Sequence, residues 1–151
     1  MDEERLIGAL LRIPFQATVA AVEEEVRAAG FDDVRPAHFA VFQHMRPGGV
    51  RATELAQRAQ ITKQSMGYLV DYLAARGYVE RVPDPQDGRA QLVRLTPRGQ
   101  ELARTARAAV QRVETEWAAR LGQERVCQLR DTLRALVAAI EADPGSTAHD
   151  R

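Results

Sequence analysis

A length of 151 residues suits one domain with a sizeable core. Apolar residues at 45% and charged residues at 28% match an ordinary soluble protein. The 21 basic and 21 acidic residues cancel to a formal charge of zero, so any anionic partner must be met by local charge.

In chain order, Leu6, Leu10, Val19, Val22 and Val26 recur at helical spacing and predict a long first helix ending near Gly30. Pro14 removes a backbone donor in its interior, so a kink or a second helix start is expected there. After Phe31-Asp32-Asp33-Val34, Pro36 sits in the first turn of a second helix, which turns Phe39, Val41, Phe42 and Met45 to the core. Pro47-Gly48-Gly49 ends it, and Val50-Arg51 is expected to add a short third strand beside the later hairpin. Thr53 to Ala59 then forms a short helix with Leu55, Ala56 and Ala59 on one side. Gln60-Ile61-Thr62 makes a turn, with Thr62 placed to cap a further helix from Lys63, whose apolar positions are Met66, Leu69, Val70 and Leu73. Arg76-Gly77 ends that helix.

Two short helices joined by a tight turn form a helix-turn-helix, whose second helix can enter a DNA major groove. Its exposed start, Thr62-Lys63-Gln64-Ser65 with Tyr68 one turn on, carries groups suited to base edges and phosphates. Taken alone, the run reads equally well as an ordinary polar first turn. The segment beyond Gly77 decides between the two. Tyr78–Val82 and Gln91–Leu95 alternate as strands around the turn-rich segment from Pro83 to Ala90, predicting a β-hairpin with a long tip, or wing. Arg89 in that tip is placed to reach an adjacent minor groove, and could also pair locally with Asp87. Pro97 opens a long helix to about Leu121, with Leu102, Ala106, Val110, Val113, Trp117 and Leu121 in one stripe. Gly122 breaks it. Val126, Leu129, Leu133, Leu136, Val137 and Ile140 mark a last helix before Asp143-Pro144-Gly145, and 143–151 is expected to be a flexible tail.

The chain resembles the MarR family of bacterial winged-helix transcription regulators. The resemblance rests on Glu54-Leu55-Ala56, Thr62-Lys63-Gln64-Ser65, Leu73 to Gly77, Val79-Glu80-Arg81, Asp84-Pro85-x-Asp87-x-Arg89-Ala90 and Leu95-Thr96-Pro97-x-Gly99, in this order and spacing. Two positions depart from it. Arg51 stands where relatives often carry a capping Ser or Thr, and Gly88 stands where many carry a second basic residue.

The resemblance implies a mainly α fold with a small β-wing. It implies a single domain over 1–142, with a winged-helix head at about 34–96 and long dimerisation helices at about 3–29 and 97–142. It implies a homodimer on a pseudo-palindromic double-stranded DNA operator, acting as a ligand-responsive repressor with a small aromatic effector. Thr62, Lys63, Gln64, Ser65 and Tyr68 would approach the major groove and Arg89 the minor groove, while Arg81 and Arg94 hold phosphates or the wing. Charge distribution agrees: between Arg51 and Arg98, Arg51, Arg58, Lys63, Arg76, Arg81, Arg89, Arg94 and Arg98 outnumber Glu54, Asp71, Glu80, Asp84 and Asp87, a net of +3. Arg5, Arg12 and Arg27 against Asp2, Glu3, Glu4, Glu23, Glu24 and Glu25 leave −3 over the first thirty residues.

The resemblance implies an effector site where head and outer helices join, for which Arg12, Phe15, His38, Phe42 and Trp117 are the candidates, with Arg12, His38 or Arg112 as polar anchor. Packing in the core or a dimer interface is the plainer reading of the aromatic residues. Cys127 is expected to pack as a small hydrophobe, a peroxide-sensing thiol being the alternative. His38 and His44 are six apart, the wrong spacing for a helical metal pair, so neither metal nor cofactor is expected. Nor is an enzyme: Ser65 has no strand-to-helix elbow, there is no Gly-rich phosphate loop, and Asp84 and Asp87 lie in an exposed turn. A winged helix that docks protein would make the Thr62–Tyr68 face more apolar than it is. The acidic start is unlike a signal peptide, no run approaches membrane-spanning length, and one cysteine suits a reducing compartment, so a cytoplasmic location without membrane partners is expected.

Overall fold

A computed structural model describes residues 6–142; the tail expected at 143–151 lies outside the described residues, as do residues 1–5, where the first helix of about 3–29 is expected to begin. The elements are α1 (Ile7–Ala28), a 3-10 turn (Pro36–His38), α2 (Phe39–Gln43), α3 (Ala52–Ala59), α4 (Lys63–Ala75), β1 (Val79–Asp84), β2 (Asp87–Leu95), α5 (Pro97–Leu121) and α6 (Gln123–Ala142). The mainly α class with a small β-wing therefore holds. The chain divides into two compact units, the first ending at Val110 and the second beginning at Gln111 within α5.

In the first unit, α1 runs through Pro14 without ending, and the Thr18 hydroxyl donates to the Pro14 carbonyl at 3.0 Å. A single missing donor is not enough to break a helix whose later turns bury Val22 and Val26. Gly30 closes it with φ of +94°, a conformation that glycine adopts freely. The second helix is shorter than its apolar spacing predicts. It begins as the 3-10 turn at Pro36 and stops at Gln43, leaving Met45 half-buried beyond its end.

The helix-turn-helix matches its predicted span. α3 buries Leu55 and Ala56, and Gln60 takes left-handed geometry in the turn. Thr62 caps α4 by accepting from the Ser65 N–H at 3.1 Å, and Met66, Val70 and Leu73 anchor that helix. These meet Val26, Val41, Tyr78, Val93 and Leu102 in one apolar cluster.

The wing differs from its prediction in a useful way. Its strands pair further out, Val79 with Leu95 through Pro83 with Gln91, and then Asp84 with Asp87 across the short turn Pro85-Gln86. The long tip is thus a two-residue turn plus an irregularity in which Gly88, Arg89 and Ala90 have no partner in the ladder. The expected third strand is a single bridge, Val50 with Val93.

In the second unit, Gly122 (φ +94°) separates the end of α5 from α6, as the sequence predicts. An ion pair, Arg130–Glu114 at 2.6 Å, joins the two helices. Trp117, Val126, Leu129, Leu133 and Val137 line an apolar groove of about 390 Å³ between them. Leu129, Leu136, Val137 and Ile140 remain exposed along α6. Cys127 is exposed too, so the expected packing role fails within this chain; its sulfur accepts only a long contact, 3.7 Å, from the Gln123 amide.

Candidate nucleic-acid interface

The start of α4 is built from its cap outward. Burying Met66, Val70 and Leu73 on one face leaves Thr62, Lys63, Gln64, Ser65 and Tyr68 exposed on the other. The Thr62 hydroxyl donates to Ser65 Oγ at 2.9 Å while accepting the Ser65 N–H, which fixes both side chains. One turn on, the Gln64 amide donates to the Tyr68 hydroxyl at 3.3 Å. Lys63, the sole lysine of the sequence, has no hydrogen bond or ion pair among the described residues.

The wing is held by arginines whose charges are already matched. Arg81 reaches back to Asp71 on α4 at 2.6 Å, and Arg94 pairs with Glu80 across the ladder at 2.7 Å. Both side chains are thus paired inside the head, Arg94 within the wing and Arg81 from the wing to α4. The other cations of the head are also occupied: Arg58 by Glu54, Arg76 by Asp33, Arg51 by Asp84, and Arg98 by the Arg76 carbonyl and Tyr78 hydroxyl. Arg89 differs. Only its backbone N–H is engaged, donating to Asp87 at 3.2 Å, and the alternative of a local Arg89–Asp87 ion pair is not the one adopted. Asp87 lies instead 3.7 Å from Arg51. Among the described residues of the head from 51 to 98, Lys63 and Arg89 are the two cations left without a side-chain partner.

Behind the wing lies a network the sequence did not disclose. Tyr78 is fully buried, and its hydroxyl donates to Asp33 at 2.6 Å while Arg98 lies 4.4 Å over its ring. Burial first, and the Asp33 hydrogen bond second, push the Tyr78 pKa up to about 12. Tyr72 is sandwiched between Arg76, 3.5 Å from its ring centre, and His38, stacked at 4.3 Å.

Within the first unit, Arg12, Phe15, His38 and Phe42 do not line one common cavity. His38 is a buried structural residue: its Nδ1 accepts the Arg35 N–H at 2.9 Å, closing the 3-10 turn, while its ring packs on Tyr72. Burial first, and the neighbouring Arg76 second, hold its pKa below the ordinary histidine value. Arg12 is exposed on α1 and lines neither of the two cavities that Phe15 and Phe42 border. Phe15 borders an apolar surface groove with Pro36, Phe39, Ser65, Tyr68 and Leu69. Phe42 borders a different cavity, of about 280 Å³, between α1, α2 and the first part of α5. Its walls include Thr18, Val22, Phe39, Met45, Ala106 and Val110, and Arg107 brings the one guanidinium. Trp117 belongs to the second unit's groove. Sequence reading missed Arg107, although its place one position past Ala106 in the α5 stripe marked it as bordering the apolar face. Among the described residues, no three His, Cys, Asp or Glu side chains converge as a metal ion requires. No described helix is long and apolar enough to cross a membrane.

A helix-turn-helix followed by a two-stranded wing, with an unpaired cation at the tip of each, defines a winged-helix transcription regulator. The model of the MarR family matches residues 32–90. An HTH-type transcriptional regulator of Mycobacterium bovis is 33% identical over 97 residues, spanning 64% of this chain and 68% of the relative. Among solved structures, CouR from Rhodococcus jostii RHA1 bound to p-coumaroyl-CoA superposes with a TM-score of 0.70 at 28% identity, covering 89% of this chain and 92% of CouR. A mutant MarR from E. coli complexed with operator DNA gives 0.68 at 25% identity, covering 86% and 92%. The chain belongs to the MarR family of transcription regulators, and it is not an enzyme.

Proposed function

We propose that the chain is a ligand-responsive repressor that binds a pseudo-palindromic operator as a homodimer. The observation that carries this reading is the pair Lys63 and Arg89, the head's two unmatched cations, one at the start of α4 and one in the unpaired segment of the wing. A cation whose side chain has no partner can take a phosphate contact without first giving up an ion pair or hydrogen bond, which the other cations of the head cannot do. Lys63, Gln64, Ser65 and Tyr68 face the major groove, with Thr62 capping the helix that presents them, and Arg89 faces the minor groove. Arg81 and Arg94 keep the wing in place through Asp71 and Glu80.

The head at about 34–96 is flanked in sequence by α1 on one side and by α5 and α6 on the other. Leu6, Ile7, Leu10 and Leu11 on or just before α1, and Leu129, Leu136, Val137 and Ile140 on α6, are exposed in the single chain. A second copy related by two-fold symmetry covers such faces. The cavity between α1, α2 and α5, apolar except at Thr18, Gln43 and Arg107, suits a small aromatic acid whose carboxylate meets the guanidinium. CouR and the operator-bound MarR supply precedents for the ligand and for DNA respectively.

Selection of bound fragments from a random duplex pool tests the reading. The expected winners carry two related half-sites spaced in steps of about 10 bp. Enrichment of no sequence, or of single unpaired half-sites, removes the dimeric operator from the proposal.

A further inference from the structure

Arg51 occupies the position that precedes α3, with the extended backbone of a helix cap (φ −66°, ψ 140°), yet its side chain caps nothing. It turns to the wing. Both Nε and Nη2 donate to the same oxygen of Asp84, at 3.0 and 2.7 Å, and Nη2 also lies 3.7 Å from the Asp87 carboxylate. The other Asp84 oxygen accepts the Gln86 N–H at 2.9 Å, so this buried carboxylate is filled from both sides. Asp87 in turn accepts the Arg89 N–H. A continuous chain of contacts therefore runs from the start of the helix-turn-helix, through the two carboxylates of the wing turn, to the backbone of Arg89.

We infer that Arg51 is the positioning residue of the wing: it fastens the Asp84–Asp87 turn to α3 and so presents Arg89 at a fixed place relative to α4. The inference rests on the reading that the wing meets DNA. Its physical basis is the shape of the wing. A two-stranded ribbon is marginally stable by itself, and its ladder lapses at 88–90, where Arg89 sits. The ladder cannot fix Arg89; the contacts from Arg51 can. The same guanidinium offsets Asp84 and Asp87, which would otherwise place two negative charges beside Arg89 and facing phosphates. Serine or threonine at this position caps the helix and makes neither contact. The substitution of arginine thus exchanges a local cap for a tie between reading helix and wing.

The test uses Arg51→Ser, because serine supplies the missing cap and protects α3. Amide hydrogen exchange of the free protein is followed at Gln86 and Arg89, and binding to a duplex selected from a random pool by the unmodified protein is titrated for Arg51→Ser, Arg89→Ala and the double variant. Exchange at both amides should quicken about tenfold in Arg51→Ser while the α4 amides keep their protection. Arg51→Ser should weaken duplex binding about fivefold when Arg89 is present and less than about twofold when it is absent, the mark of two residues acting as one. Unchanged exchange overturns the inference, because the wing turn is then ordered without Arg51. Faster exchange with effects that multiply also overturns it, since Arg51 then acts on DNA by its own charge. If Arg89→Ala does not weaken binding, the wing-contact reading itself has failed; the positioning role in DNA binding falls with it, and the exchange data show whether the tie orders the turn all the same.

Discussion

His38 shows how a residue's chemistry can mislead when its partners are distant. Aromatic, polar and near other aromatic residues in sequence, it reads as a ligand anchor, but its ring is spent on Tyr72 and its Nδ1 on the Arg35 N–H. Thr62 was legible because a threonine before an apolar helical run is itself a cap signal; Arg35 is as near to His38, but Tyr72, whose ring stacks on it, lies more than thirty residues away. The burial that lowers the His38 pKa also gives a pH dependence. The unfolded chain takes up a proton near the ordinary value of 6.5, and the folded chain resists it, so the contribution is complete above about pH 6.5 and is lost as the pH falls below it. His38→Gln keeps an acceptor for the Arg35 N–H and removes both the titration and the stack. Urea midpoints should show the variant less stable at about pH 7.5 by ~1 kcal/mol, and closer to the unmodified protein at about pH 5. A gap that is constant across this range contradicts the assignment.

Among the elements, α4 and α5 were the most legible, because each carries its own boundaries: Thr62 and Gly77 for one, Pro97 and Gly122 for the other. The wing was legible as a hairpin but not in detail, since local alternation encodes neither the register shift that leaves Gly88–Ala90 unpaired nor the tie from Arg51 to Asp84. The ligand-binding expectation suffered most. Phe15 and Phe42 are apolar residues that pattern alone cannot assign to one cavity or another, and in the first unit the structure puts them on two. Gly99 ties α5 to the wing in a way that only the structure explains. A Cβ there would collide with the Tyr78 carbonyl, a backbone group that Thr96 also engages. Gly99→Ala should cost about 2–3 kcal/mol, because neither α5 nor the buried Tyr78 can retreat. A denaturant midpoint equal to that of the unmodified protein would show that the two elements separate freely.

For the whole molecule, the proposed dimer and the proposed DNA reading stand on different surfaces and can be broken separately. Leu129 and Leu136 are each 43% exposed, so glutamate at both costs the single chain little folding energy. Sedimentation should show Leu129→Glu/Leu136→Glu as a folded monomer that binds the selected duplex at least about tenfold more weakly. An unchanged dimer would place the interface elsewhere.

DNA reading by the head is tested most directly through its two unmatched cations. Affinity for the selected duplex and for a scrambled one would be titrated across a series of salt concentrations for the unmodified chain, Lys63→Ala and Arg89→Ala. Each substitution removes a phosphate or groove contact, so each should weaken binding to both duplexes and lower the slope of log affinity against log salt by about one. If both variants remain folded and neither affinity nor slope changes on either duplex, Lys63 and Arg89 do not touch DNA, and α4 and the wing are not the reading surface.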